Sequence, residues 1–267
     1  MKTTVGFIGT GNMGGALAKA AAKAMPAQEI YLFDKCTEKA ETLGRELSCN
    51  SVSLEAVSQC SYIFLGVKPQ MMESLFLELS PILSQRQDPF VLVSMAAGVP
   101  MARIQELAGE KYPVIRIMPN MPVSVGVGMI LYDATENVTQ EQQAGFLKCM
   151  QYAGTMDKLP ENLIDAGTSV ASCGPAFAFL FIEALTQGGV ACGLPEDKAE
   201  LYAKQMLLGS AKLALESSMQ PSQLRQAVCS PGGSTIEGIY ALQNGNFPET
   251  VSDAVIASYK RNQELGK

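Results

Sequence analysis

The chain has no histidine and no tryptophan in 267 residues. The missing imidazole removes Ser-His-Asp and Cys-His triads, every His-containing zinc site and the His general acid of many dehydrogenases. A basic excess is missing too: 20 Lys+Arg stand against 26 Asp+Glu, a net charge of −6. Nucleic-acid binding needs a basic face to replace phosphate counterions and is not expected. The seven cysteines, at positions 36, 49, 60, 149, 173, 192 and 229, are odd in number and scattered, with no C-x-x-C pair. Neither a disulfide framework nor a metal site is expected; most read as small buried thiols in a reducing cytoplasm. Met1-Lys2-Thr3-Thr4 runs into a strand pattern without the regions of a signal peptide. The most apolar run, Val170 to Ile182, is interrupted by Ser172, Gly174 and Pro175 and closed by Glu183. That falls short of the roughly 18 residues of a membrane span, so no membrane partner is expected and the run reads as a buried helix.

What the chain does have is alternation. Short apolar runs at Thr4–Ile8, Ile30–Phe33, Tyr62–Val67, Phe90–Ser94 and Val114–Met118 read as strands. Amphipathic segments at Ala16–Lys23, Glu38–Leu47, Met72–Leu79 and Met101–Ala108 lie between them. Strands alternating with helices predict a parallel sheet covered on both faces. Gly128–Tyr132 and Thr155–Lys158 extend it with different pairing. After Leu159 strand runs vanish. Helical stretches are expected at about Glu161–Cys192, Glu196–Ser217, Pro221–Val228 and Phe247–Leu265, with a short one starting near Thr235. Gly174-Pro175 should break the first, because proline clashes with the preceding turn. The expected fold is α/β, a Rossmann-type doubly wound sheet followed by an all-helical domain, with domains 1–160 and 161–267. Residues 170–194 carry one formally charged side chain, Glu183. Such a helix lies deep in a core or at a subunit interface.

Val5-Gly6-Phe7-Ile8-Gly9-Thr10-Gly11-Asn12-Met13-Gly14 contains G-x-G-x-x-G at Gly9, Gly11 and Gly14. The fingerprint alone is weak, but here a strand precedes it and a helix follows. The first Gly permits a tight turn, the second lets a pyrophosphate approach the backbone, and the third lets helix and strand pack. The helix N-terminus then favours the anion without a Lys or Arg. Asp34 lies twenty residues past Gly14, at the end of the second strand. An acid there usually accepts from a ribose 2′-OH, while Lys35 and Lys39 would suit a 2′-phosphate. Asp34 as a mere turn cap is the plainer alternative. Gly66-Val67-Lys68-Pro69 ends another strand, where ligands of such sheets bind. Ser230-Pro231-Gly232-Gly233-Ser234-Thr235-Ile236-Glu237 leads hydroxyls and glycines into a helix. It is either an N–H nest for a carboxylate or phosphate, or a capped helix–helix turn.

Gly6–Gly14, Val67–Pro69, Arg-Ile-Met-Pro-Asn-Met-Pro (116–122), Gly-Pro-Ala-Phe (174–177) and residues 230–239 stand in the order of one family. Over essentially its whole length the chain resembles the pyrroline-5-carboxylate reductases, which reduce a cyclic imine to L-proline with NADPH or NADH. The resemblance implies a helical domain interlocked with that of a second subunit, in homodimers of which five often form a decamer. It implies that Gly9, Thr10, Gly11, Asn12, Met13 and Gly14 hold the pyrophosphate of NADP(H) or NAD(H). Asp34 and Lys35 would face the adenosine ribose. Gly66, Val67, Lys68, Pro69, Met95, Ala96 and Ala97 would line the cofactor cleft. Glu161, Gly232, Gly233, Ser234 and Thr235 would hold the substrate, with the Thr235 hydroxyl at the ring nitrogen. Ser53 and Ala227 depart from relatives that often carry Asn near the nucleotide. A β-hydroxyacid dehydrogenase shares the two-domain layout, but needs a catalytic Lys on the interdomain helix. No lysine occurs from Glu161 to Gly193. A non-catalytic dinucleotide sensor would not need the complete 230–239 segment.

Overall fold

In a computed structural model, residues 3–265 are described. They form β1 (Val5–Ile8), α1 (Asn12–Ala24), β2 (Ile30–Phe33), α2 (Thr37–Leu47), β3 (Asn50–Ser51), α3 (Leu54–Val57), β4 (Tyr62–Leu65), α4 (Met72–Leu83), β5 (Val91–Ser94) and α5 (Met101–Ala108). Then come β6 (Val114–Pro119), β7 (Gly128–Ala134), α6 (Gln140–Cys149), β8 (Gly154–Lys158) and α7 (Glu161–Ala171). Five helices complete the chain: α8 (Gly174–Ala191), α9 (Glu196–Glu216), α10 (Pro221–Val228), α11 (Ser234–Asn244) and α12 (Phe247–Leu265).

The sheet order is β3-β2-β1-β4-β5-β6-β7-β8. All pairs are parallel except β6–β7, which is antiparallel. The expected doubly wound sheet is therefore present, and the two late strands do pair differently. The central strands β1, β4, β5 and β6 are buried at every position and mostly apolar, because both faces are covered. Period-2 alternation divides their side chains between two cores. Val5, Phe7, Phe64 and Val93 enter one with Leu17 of α1 and Phe146 of α6. Ile8, Ile63, Leu65 and Leu92 enter the other with Leu75 and Phe76 of α4 and Ile104 of α5. β3 and α3 were not expected; two and four residues long, they leave too short a pattern to read.

The chain forms two compact units, one through Cys173 with the chain from Ser258 onward, the other Gly174–Ala257. α7 belongs to the first. Its Ile164 is fully buried with Met118 and Leu131 of the sheet. The break at Gly174 occurs where Pro175 demanded it.

In the second unit α8 packs on α9; an added Cβ at Gly189 would meet Ala199 at 3.0 Å. The expected burial of α8 is not found within its own chain. Only Thr186 of its residues is buried, while Phe179 is 52% and Leu180 65% exposed. The helix near Thr235 is eleven residues long, not short. By length and composition residues 161–191 also reach what a membrane span needs, with an 18-residue stretch of mean hydropathy 1.5 that is 11% buried. The thiols differ from expectation too: Cys60 and Cys149 are buried, but Cys36 and Cys192 are exposed and the other three lie between.

Candidate active site

The first turn of the site forms where β1 and β4 end side by side, with strand order diverging between them. Gly9 turns the chain at φ 96° and its N–H donates to the Phe33 carbonyl at 2.7 Å. A Cβ on Gly9 would stand 2.6 Å from the Gly66 carbonyl oxygen, and one on Gly66 2.7 Å from that of Gly9. The two loops touch backbone to backbone, with no room for a methyl group. A Cβ on Gly14 would run into the Gly9 carbonyl. Gly11 is different: nothing lies within 4 Å of where its Cβ would be. It is the N-cap of α1, and no side chain caps that helix. The open space in front of uncapped N–H groups is where a pyrophosphate fits.

These loops line a cleft of about 240 Å³. Of the expected cofactor residues, Gly9, Gly11, Asp34, Lys35, Gly66, Val67 and Lys68 meet there. Thr10, Asn12, Met13, Gly14, Pro69, Met95, Ala96 and Ala97 are not on its lining. Thr10 instead serves Asp34. Its N–H donates to Asp34 Oδ2 at 2.8 Å and its hydroxyl to the same atom at 3.2 Å. Asp34 Oδ1 accepts the Cys36 N–H at 2.9 Å, so the turn-cap alternative is also realised. Pro69 opens a 3₁₀ turn, Pro69–Met71, and Met95–Ala97 follow β5. Ile8, Phe33, Met71, Ser74 and Leu75 line the cleft without having been singled out. Val67-Lys68-Pro69 was the available signal, since the turn it starts carries Met71 and Ser74 to the cleft.

Glu161 sits at the start of α7 in the first unit. Its Oε1 accepts the Met101 N–H, the first of α5, at 2.7 Å and Arg116 Nη1 at 3.4 Å. Its own N–H donates to Asp133 Oδ2 at 2.7 Å. The Arg116 side chain is 4% exposed and also donates to Asp165 Oδ1 at 3.0 Å. Its Nε has no partner among the described residues. Glu161 thus ties α5, β6 and α7 together, a role the sequence did not announce.

The turn before α11 lies in the second unit. Gly232 has φ 67°, and Gly233 is an extended N-cap with no side-chain cap. The Gly233 N–H closes the turn on the Ser230 carbonyl at 3.0 Å. A Cβ on Gly233 would lie 2.5 Å from Ser230 Oγ, so the Ser230 hydroxyl belongs to this turn, at the head of the segment whose hydroxyls and glycines the sequence singled out. Thr235, the second residue of α11, is exposed. The arrangement leaves the N–H groups of a helix start and the hydroxyls of Ser230, Ser234 and Thr235 around one glycine turn. That set can hold an anion and orient a weakly basic nitrogen. No group of three or more His, Cys, Asp or Glu side chains able to hold a metal occurs among the described residues.

Residues 161–265 match the family model for pyrroline-5-carboxylate reductase dimerisation, and residues 4–98 that for NADP oxidoreductase, coenzyme F420-dependent. A pyrroline-5-carboxylate reductase of Pisum sativum is 36% identical over 98% of this chain and 96% of its own length. The chain belongs to the pyrroline-5-carboxylate reductase family. It is an NAD(P)H-dependent oxidoreductase of proline biosynthesis. The Coxiella burnetii pyrroline-5-carboxylate reductase superposes with a TM-score of 0.91 at 30% identity, covering 100% of both chains. The Plasmodium falciparum pyrroline carboxylate reductase, solved with NADP bound, gives 0.88 at 29% identity, covering 100% of this chain and 99% of that one.

Proposed function

We propose that this reductase converts 1-pyrroline-5-carboxylate to L-proline, with the cofactor held by the cleft of the first unit and the substrate by the glycine turn of the second. Residues 1–160 act as the dinucleotide domain and 161–267 as the helical dimerisation and substrate domain. The observation that carries the reading is the uncapped turn Gly232–Ser234 at the head of α11, within the segment matched by the family's dimerisation model.

A reduced nicotinamide bound in the cleft would supply the hydride. Gly9–Gly14 hold its pyrophosphate on the α1 N-terminus, where Gly11 leaves the space. Asp34 and Lys35 meet the adenosine ribose, and Gly66–Pro69 with Met95–Ala97 border the nicotinamide half. The N–H groups of Gly232 and Ser234 donate to the substrate carboxylate, while that of Gly233 holds the turn in shape through the Ser230 carbonyl. The Thr235 hydroxyl hydrogen-bonds the ring nitrogen; as a weak acid it orients more than it protonates. Glu161 supports the substrate region chiefly by fixing α7, because its Oε1 is already engaged. A protonated imine is electrophilic without help, so positioning and exclusion of water supply much of the rate. That suits a chain with no imidazole.

The apolar faces of α8 and α9 cover each other in a homodimer, from which decamers of five dimers form. A second copy, rather than lipid, takes the exposed Phe179 and Leu180. The seven free thiols fit a cytoplasmic location. Steady-state kinetics with pyrroline-5-carboxylate and each cofactor test the reading. Absence of imine reduction, with oxidation of β-hydroxyacids in its place, would overturn it.

A further inference from the structure

Asp34 lies past the end of β2 on the lining of the same cleft as Gly9, Gly11 and Gly66. Its carboxylate is held from three sides, by the Thr10 N–H, the Thr10 hydroxyl and the Cys36 N–H. A carboxylate so fixed cannot swing away from what enters beside it. It can accept from ribose hydroxyls and has no donor to offer a phosphate.

The positive charge nearby is poorly placed to compensate. Lys35 Nζ pairs with Glu78 Oε1 at 3.4 Å, and both side chains are more than half exposed. Lys39 is exposed as well. Exposed ammonium groups on flexible stems attract weakly and are screened. No arginine, the residue suited to bidentate phosphate binding, lines the cleft among the described residues. Lys68 lines the cleft as well and is exposed, but it follows β4, which lies across β1 from the β2 end that carries Asp34.

We propose that Asp34 sets the cofactor preference of this enzyme, accepting the free 2′-hydroxyl of NADH and repelling the 2′-phosphate of NADPH. NADP(H) still binds, but less well. The inference rests on the cofactor placement proposed above.

Two measurements test it. The first is kcat/KM for each cofactor at low and high ionic strength, in the natural protein and in Asp34→Asn and Asp34→Ser. The NADH:NADPH ratio should be at least tenfold in the natural protein and should narrow as salt rises. Either substitution should lower that ratio about tenfold. Loss of the Thr10 tether weakens both cofactors alike, and the ratio removes that common loss.

The second measurement is calorimetric binding of ADP-ribose and 2′-phospho-ADP-ribose to the natural protein, which needs neither turnover nor a variant. ADP-ribose should bind at least tenfold tighter. Equal or better use of NADPH, or equal losses for both cofactors in Asp34→Ser, would overturn the proposal while leaving the reductase standing. Preference for ADP-ribose without turnover on pyrroline-5-carboxylate would support Asp34 and sink the activity.

Discussion

Arg116 Nη2 donates to Asp165 Oδ1 at 3.0 Å, with the arginine side chain only 4% exposed. The same guanidinium reaches Glu161, so one strand residue anchors the first and second turns of α7. A buried ion pair is costly to form, but breaking it leaves an uncompensated charge, a loss of about 3–5 kcal/mol. Arg116→Met should therefore lower the thermal midpoint by several degrees or prevent folding. Arg116→Lys should recover part of it, since an ammonium cannot match the fork that spans both carboxylates. Differential scanning calorimetry of both variants checks the order.

The fingerprint glycines should respond in opposite ways. Gly14→Ala drives a methyl into the Gly9 carbonyl and should cost stability whether or not cofactor is present. Gly11→Ala meets no protein atom and should melt near the natural midpoint. Its methyl would occupy the space of the pyrophosphate, so cofactor binding should weaken at least tenfold. A thermal melt paired with a cofactor titration separates the two, and a Gly11→Ala protein that binds normally would count against the phosphate site.

Thr235→Ala should reduce kcat/KM by about 10–100-fold, the worth of one hydrogen bond to a polar reacting group at about 1.4 kcal/mol per decade. Thr235→Ser should retain most activity. Exposure of Thr235 at a helix start makes a folding defect an unsuitable explanation for any loss. Unchanged turnover in the alanine variant would remove Thr235 from the reaction.

Alkaline pH should destabilise the fold, and neutral pH should not. Burial pushes the Cys60 thiol up to about 12 and the Cys149 thiol to about 11 from 9.0. Burial likewise pushes the Tyr62 hydroxyl to about 12 from 10.0. Each native state holds its proton longer than the unfolded chain does. The stability this contributes is complete below pH 9 and is lost progressively as pH rises toward 11–12. The thermal midpoint should be flat where a histidine would titrate and should fall above pH 9. Cys60→Ala should blunt that fall. These two buried thiols cannot give a neutral limb in the pH–rate profile; the imine, another thiol, a carboxylate or the α-amino group can, and the imine is the first to examine. A limb that stayed in place with an imine of different basicity would exclude it.

Light scattering should find no monomer at micromolar concentration. Leu180→Glu, on the open face of α8, should shift the protein toward monomer without unfolding the sheet unit.

The parallel sheet was legible because strands buried on both faces leave unbroken apolar runs such as Tyr62–Leu65. Periodicity says that a helix has an apolar face, but not which element receives it. Ile164 therefore gave no sign that α7 packs on the sheet, and for Phe179 the charge-poor run 170–194 left a core and a subunit interface both open. The glycines of the site were readable from spacing. The tether from Thr10 to Asp34 was not, because it joins residues 24 apart in sequence through side-chain geometry. Ser230 stood in a segment that the sequence did single out, but its packing against Gly233 shows only once the turn is formed.

The contact between Gly9 and Gly66 constrains how this protein can vary. Each residue excludes a methyl group from the other by means of its own backbone oxygen. Compensation between neighbouring positions usually works by making one side chain smaller when the other grows. Here neither partner has a side chain to give up. A mutant at either position therefore has no suppressor at the other, and random libraries seeded with Gly9→Ala or Gly66→Ala should return revertants in place of paired solutions.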